Sequence, residues 1–282
     1  MSSPLRNEII VMNLPRQLPV EGESSAFLST QAIQRVNLPP LWYLGVVPQE
    51  NGYWVAQILC IDRLISLGTF NSEVAAARAY DTAAITQYGD EFFRNFLLTS
   101  VTIHEPSFQS NYSNETIVEM IRNGSYELKL IHFVSNHPRN YHYRGPIEMP
   151  SCMDAIQEVF YKKMFHKELT LTDLEHQKVL ILPIDARPFF PRVRSNRVQF
   201  WLEFKDRMNR TWAFQYFYWS RFQRSILTRG WSKFVSEMQL RADDIVVFYQ
   251  CWDRRTHPEE TFDMVDIIRG LRITRDELQG LS

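Results

Sequence analysis

The sequence predicts an α+β chain of two domains: a three-stranded antiparallel sheet with one helix, followed by a β-rich region. Three observations predict it. Strand-like alternation runs through "GYWVAQILC", an alanine-rich stretch "NSEVAAARAYDTAA" comes next at helical spacing, and alternation returns in the second half in segments crowded with aromatic residues. With 282 residues the chain is long enough for two packed cores.

Taken in order, residues 1–39 hold Pro4, Pro15, Pro19 and Pro39 outside any helical or strand period and read as a flexible N-terminal arm, with Pro40 opening the first domain. The next stretch, "LWYLGVVPQENGYWVAQILCIDRLISLGTF", reads as short strands, with Pro48 to Gly52 turning one hairpin. Along the middle strand Trp54, Ala56, Ile58 and Cys60 alternate with Tyr53, Val55, Gln57 and Leu59, so one set faces a core and the other solvent. A helix then begins at Asn71 or Ser72 as cap, with Glu73 at its positive end and Gly89 as stop. Ala75, Ala76, Ala79 and Ala83 put only methyl groups on one face, which suits close approach to a sheet.

These residues carry a resemblance. "YLGVVPQENGYWVAQI", "LGTF", "AARAYDTAA" and "NF" resemble the plant APETALA-two/ERF DNA-binding domain in the variant carried by RAV-type factors, over about residues 41–98. The resemblance implies that the sheet enters the major groove and the helix packs behind it. Where the family places Lys or Arg on the strands, this chain has Leu44, Tyr53, Leu64 and Ser66, an uncharged and degenerate contact face. Residues 40–98 hold Arg63, Arg78 and Arg94 against Glu50, Asp62, Glu73, Asp81, Asp90 and Glu91, a net −3 that disfavours phosphate binding. The expectation is a domain that keeps its fold and has a weakened grip on DNA, its uncharged surface being either a face for other transcription regulators or a vestige.

Residues 99–157 read as a linker with one short amphipathic helix near "NETIVEMIR", with Asn114 as cap and Ile117, Val118 and Ile121 on one face. His137 and His142 lack the companions that a metal needs. Beyond residue 158, Val198, Phe200, Leu202 and Phe204 alternate with Gln199, Trp201, Glu203 and Lys205. "TWAFQYFYW" and "DIVVFYQ" supply further strands, and Trp231, Phe234, Val235 and Met238 fall on one stripe of a short helix.

The ordered motifs "LILP", "TWAFQYFYW", "LTRGWSKFV" and "LRADDIVVF" resemble the plant B-three DNA-binding domain over about residues 158–270. That resemblance implies an open seven-stranded β pseudobarrel with two short helices, whose N-terminal arm and mid-domain arm grip opposite sides of the major groove. Carried onto this sequence, the first arm is residues 175–179 and keeps Lys178. The second is 220–225, with Ser220, Arg221, Gln223 and Arg224 as candidate contacts. Arg192, Arg194 and Arg197 join them, because residues 192–233 hold ten cations against two acids. In "RADD", Asp243 stands where a left-handed turn is expected. Residues 271–282 form a C-terminal tail.

Several classes are excluded on the same grounds. The net charge of −1 is unlike that of a uniformly basic binder, and three scattered cysteines form neither a disulfide framework nor a zinc knuckle. No segment reaches about 18 uncharged apolar residues, so neither secretion nor a membrane span is expected. "PID" at 183–185 with Glu203 and Lys205 is the one nuclease-like pattern, and any half-exposed strand yields that spacing. No catalytic residue, metal, cofactor or small-molecule substrate is expected. The expected function is sequence-specific binding of double-stranded DNA in the nucleus by a transcription regulator. It is expected to read a CACCTG-like element through the second domain, with the CAACA-like element of the first doubtful. A protein-interaction regulator is the alternative.

Overall fold

A computed structural model describes residues 10–11, 43–60, 63–89, 92–136, 149–174, 179–190, 200–219 and 223–270. The chain divides into two compact units: residues 17–163 with 250–261 and 271–282, and residues 1–16 with 164–249 and 262–270. Of the expected N-terminal arm, only Ile10–Val11 (β1) are described, and they pair in parallel with Phe200–Trp201. The expected tail, 271–282, lies outside the described residues.

In the first unit, β2 (Val46–Pro48), β3 (Trp54–Cys60) and β4 (Arg63–Phe70) form the antiparallel sheet, in the order β2-β3-β4. The β2–β3 hairpin closes through Gln49 N–H on the Tyr53 carbonyl (2.8 Å). Helix α1 (Glu73–Tyr88) begins where Ser72 Oγ accepts from the Ala75 amide and ends at Gly89, whose φ of 75° few other residues adopt. The sheet lies close under α1. A Cβ on Gly45 would sit 2.0 Å from Tyr80 Cδ2, so "YLG" needs its glycine for the approach as well as for a φ of 68°.

Helix α1 is buried on more than the alanine face: Ala77, Tyr80, Asp81, Thr82 and Ala84 are also out of solvent. The cause lies in residues 99–136, which do not behave as a linker. They fold into a 3₁₀ turn at Thr102–His104 and helices α2 (Glu105–Gln109), α3 (Asn114–Arg122) and α4 (Tyr126–Asn136). Val101, Phe108, Ile117, Met120, Ile121, Tyr126, Leu130 and Val134 enter the same core as Ala76 and Tyr80. Ser113, rather than Asn114, caps α3, accepting from the Thr116 amide.

A buried polar network joins these layers. Asp81 accepts from Asn95 N (2.7 Å), Asn95 Nδ2 (3.0 Å) and Phe96 N (3.0 Å). Glu105 accepts from Thr82 Oγ1 (3.0 Å) and Arg94 Nη2 (3.3 Å), and Arg94 Nε stands 3.7 Å from Asp81. Burial pushes the Asp81 carboxyl up to about 7, against the pull of Arg94 and of the Asn95 and Phe96 amides; burial raises Glu105 too.

The second sheet contains β5 (Val159–Glu168), then α5 (Leu171–Leu174), β6 (Leu180–Ile181), β7 (Phe200–Lys205), β8 (Thr211–Trp219) and β9 (Arg224–Leu227). Helix α6 (Trp231–Glu237), β10 (Ile245–Asp253) and β11 (Glu260–Ile268) complete it. Seven strands run β5-β10-β11-β7-β8-β9-β6, the expected seven-stranded fold with two short helices, and β1 adds an eighth beside β7. Its core takes Phe200, Leu202 and Phe204 from β7, Phe214 and Tyr216 from β8, and Trp231 and Phe234 from α6. Asp243 adopts a φ of 70°, as expected of the "RADD" turn.

The division of the chain departs from a boundary at residue 158. Arg94 and Tyr161 exchange both backbone hydrogen bonds (2.8 and 2.9 Å), and Phe93 and Phe160 each pack on Trp252. Residues 158–163 and 250–261 therefore group with the first unit.

Candidate nucleic-acid interface

One end of the second sheet gathers the chain segments that matter. Strand β7 begins opposite Tyr216, near the end of β8, and β8 ends at Trp219 opposite Arg224, the start of β9. Strand β6 ends beside them, with Ile181 opposite Ile226 and Leu182 N–H on the Ser225 carbonyl (2.8 Å). The exit from β6, the entry to β7 and the β8–β9 turn thus share one sheet end. Arg192, Arg194 and Arg197 belong to the segment entering β7, and Ser220 and Arg221 to the turn. These five, with Lys178, lie outside the described residues.

Gln223 and Arg224 are described and exposed. Gln223 holds a φ of 50°, a left-handed conformation that costs a residue with a Cβ about 1–2 kcal/mol. The exposed Trp219 ring stands in register with Arg224, so an aromatic surface and a cation adjoin at the rim. Beneath them Tyr216 Oη and Ser225 Oγ are 3.0 Å apart, and Phe190 stacks on Tyr216 with centroids 5.0 Å apart. Burial raises the Tyr216 hydroxyl above its ordinary range.

The cations counted over residues 192–233 do not form one patch. Arg207 makes a bidentate pair with Asp266 (2.7 and 2.8 Å), and Arg210 Nε donates to Asp206 (2.7 Å), both at the β7–β8 turn, the other end of these strands. Asp206 also accepts from Trp212 Nε1 and the amides of Met208 and Arg210, which builds the turn. Lys205 lies over the Phe262 ring and Lys233 pairs with Glu237. Sequence reasoning missed Arg187. It lies in the 3₁₀ turn Ile184–Phe189 and donates from Nη2 to the Gln223 carbonyl, a contact spanning 36 residues with no local signal.

The first sheet differs. Tyr53 and Leu64 are 49% and 50% exposed on its outer side, and Ser66 is exposed with its carbonyl held by Arg122 Nη2 (2.7 Å). Leu44 is corrected: it is 2% exposed and belongs to the core. Its amide donates to Asn95 Oδ1 (2.6 Å) and its carbonyl accepts from Asn95 Nδ2 (3.2 Å), so it is not available to a partner. The outer face consists of Tyr53, Val55, Gln57 and Leu59 beside Leu64, Ser66 and Thr69, and none of them is charged.

Among the described residues, no cluster of three His, Cys, Asp or Glu side chains could hold a metal, and no helix is long and apolar enough to cross a membrane. Asp185 and Glu203, the acids of the nuclease-like pattern, are exposed. His137 and His142 lie outside the described residues.

Residues 164–262, which carry most of this sheet and its short helices, match the family model of the B3 DNA binding domain. Similarity extends further. The chain is 33% identical over 255 residues to the Arabidopsis thaliana AP2/ERF and B3 domain-containing transcription factor At1g50680, covering 83% of this chain and 76% of that protein. It is 35% identical to the transcription factor RAV1 of the same organism, covering 75% of this chain and 63% of the relative. Among solved structures, a chain of the Arabidopsis FUS3–DNA complex aligns with 21% identity and a TM-score of 0.33, covering 39% of this chain and all of that one. The chain belongs to the family of AP2/ERF and B3 domain-containing transcription factors, a family of DNA-binding regulators rather than enzymes.

Proposed function

We propose that this chain acts in the nucleus as a sequence-specific double-stranded-DNA-binding transcription regulator, with the B3 region making most of the DNA contact and a weakened AP2/ERF-like domain. The contrast between two surfaces supports this reading. Arg187 and Arg224 stand at the sheet end where the segments bearing Arg192, Arg194, Arg197 and Arg221 join, whereas among the described strand residues on the outer face of the first sheet none is charged. Affinity for duplex DNA comes largely from cations that displace condensed counterions, and base reading favours Arg on guanine. Lys178, Arg221, Gln223 and Arg224 are the proposed contacts, and a CACCTG-like element the proposed site. The test is binding of the full chain to a CACCTG-containing duplex and to a scrambled one across salt concentrations. Selective, steeply salt-dependent binding is expected, and equal affinity for both duplexes would refute it.

The exposed Tyr53 and Leu64 favour a second role for the first sheet, as a surface for other transcription regulators. A chain that binds no duplex in a salt-dependent way would make that role the main one.

A further inference from the structure

We infer that Arg187 is a positioning residue of the DNA interface, fixing through the Gln223 carbonyl the backbone from which Arg224 departs. The inference rests on the reading that the B3 region contacts DNA.

Three features carry it. First, Arg187 leaves from an anchored turn: Ala186 is fully buried, the Ala186 amide donates to the Pro183 carbonyl (3.2 Å), and Phe190 stacks on Tyr216 with ring planes 18° apart. Pro188 restricts the same turn further. Second, the group it holds belongs to a residue that needs holding. Gln223 sits at a φ of 50°, and a Cβ-bearing residue leaves that region readily unless its surroundings fix it. Third, the next residue is Arg224, exposed and in register with exposed Trp219, so a rotation at Gln223 would re-aim that cation.

The guanidinium suits the task. Its planar fork commits Nη2 to the Gln223 carbonyl, a charge-assisted bond across 36 residues of sequence, in a side chain that is otherwise exposed. Arg187 thus holds Gln223 from the β6 side, while strand pairing with Trp219 holds Arg224 from the other.

The test uses the full chain with Arg187→Ala and Arg187→Lys, and two readouts. Without DNA, amide hydrogen exchange at residues 223–225 is expected to quicken about tenfold in Arg187→Ala and much less in Arg187→Lys, at an unchanged melting temperature. With DNA, Arg187→Ala is expected to lose about tenfold affinity for the CACCTG-containing duplex while keeping its affinity for the scrambled one and its salt slope. Unchanged exchange would overturn the inference. So would equal loss on both duplexes with the salt slope reduced by about one, the signature of a phosphate contact. If the unmodified chain selected neither duplex, the DNA reading would fail, while the exchange result would still decide whether Arg187 holds the turn.

Discussion

Asn95 holds Leu44 by both of its backbone polar groups: the Leu44 amide donates to Oδ1 at 2.6 Å, and Nδ2 donates to the Leu44 carbonyl at 3.2 Å. The side chain thereby supplies, from beyond helix α1, the pairing that a neighbouring strand would give, and draws Leu44 into the core. Asn95→Ala leaves a buried amide and a buried carbonyl without that partner. Each such group costs about 1–3 kcal/mol, so a loss of about 2–6 kcal/mol is expected in urea unfolding, well above the ~1 kcal/mol of an ordinary hydrogen bond.

The buried carboxyl of Asp81 makes stability depend on pH. Its folded-state value of about 7 stands above the ordinary 3.8, so between these values the folded chain binds more protons than the unfolded one. The contribution is complete below pH about 4 and is lost as pH rises through about 7. Stability should therefore fall by up to about 1.4 kcal/mol per pH unit in that window, measured by urea unfolding at several pH values. Asp81→Asn carries no titrating proton and should flatten the slope, although its NH2 group gives up one of the two acceptor oxygens that Asn95 and Phe96 use.

Tyr53 and Leu64 are half-exposed and uncharged, so Tyr53→Ala and Leu64→Ala should change stability by no more than about 0.5 kcal/mol. Fluorescence anisotropy should find the affinity of both variants for a CACCTG-containing duplex within twofold of the parent. A larger loss would mean that this face touches DNA.

Arg224 stands at the rim of the β8–β9 turn, exposed and with no acid paired to it among the described residues. If it reads a base, Arg224→Ala should cost about 1–3 kcal/mol of selective binding and relax preference at one position of the site. A uniform loss across sequences would instead mark it as a phosphate contact.

Much of the fold was legible from local pattern. Ser72 and Gly89 bound helix α1, the inward set Phe200, Leu202 and Phe204 follows from alternation, and the left-handed Asp243 follows from turn chemistry. Relationships that span the chain were not legible. Leu44 is put on the contact face by the resemblance alone, and what draws it into the core is a partner 51 residues on. Helices α2 to α4 looked like a linker because "NETIVEMIR" shows an apolar stripe without showing what it packs against, while Tyr80, Asp81 and Thr82 were the unread half of that contact. The charge count over residues 192–233 was sound as a count and misleading as a surface, since Arg207 is neutralised by Asp266 from 59 residues away. Arg187 carries no local signal for the same reason, since Gln223 lies 36 residues on.

The most direct measurement is binding of the full chain, by anisotropy across a salt series, to three duplexes: one with CACCTG alone, one with CACCTG and CAACA together, and one scrambled. Selective binding to both CACCTG duplexes is expected, with no gain from CAACA and with loss of selectivity in Arg221→Ala/Arg224→Ala but not in Tyr53→Ala/Leu64→Ala. Tighter binding when CAACA is added, abolished by changing Tyr53 and Leu64, would contradict that expectation and return the first sheet to the DNA.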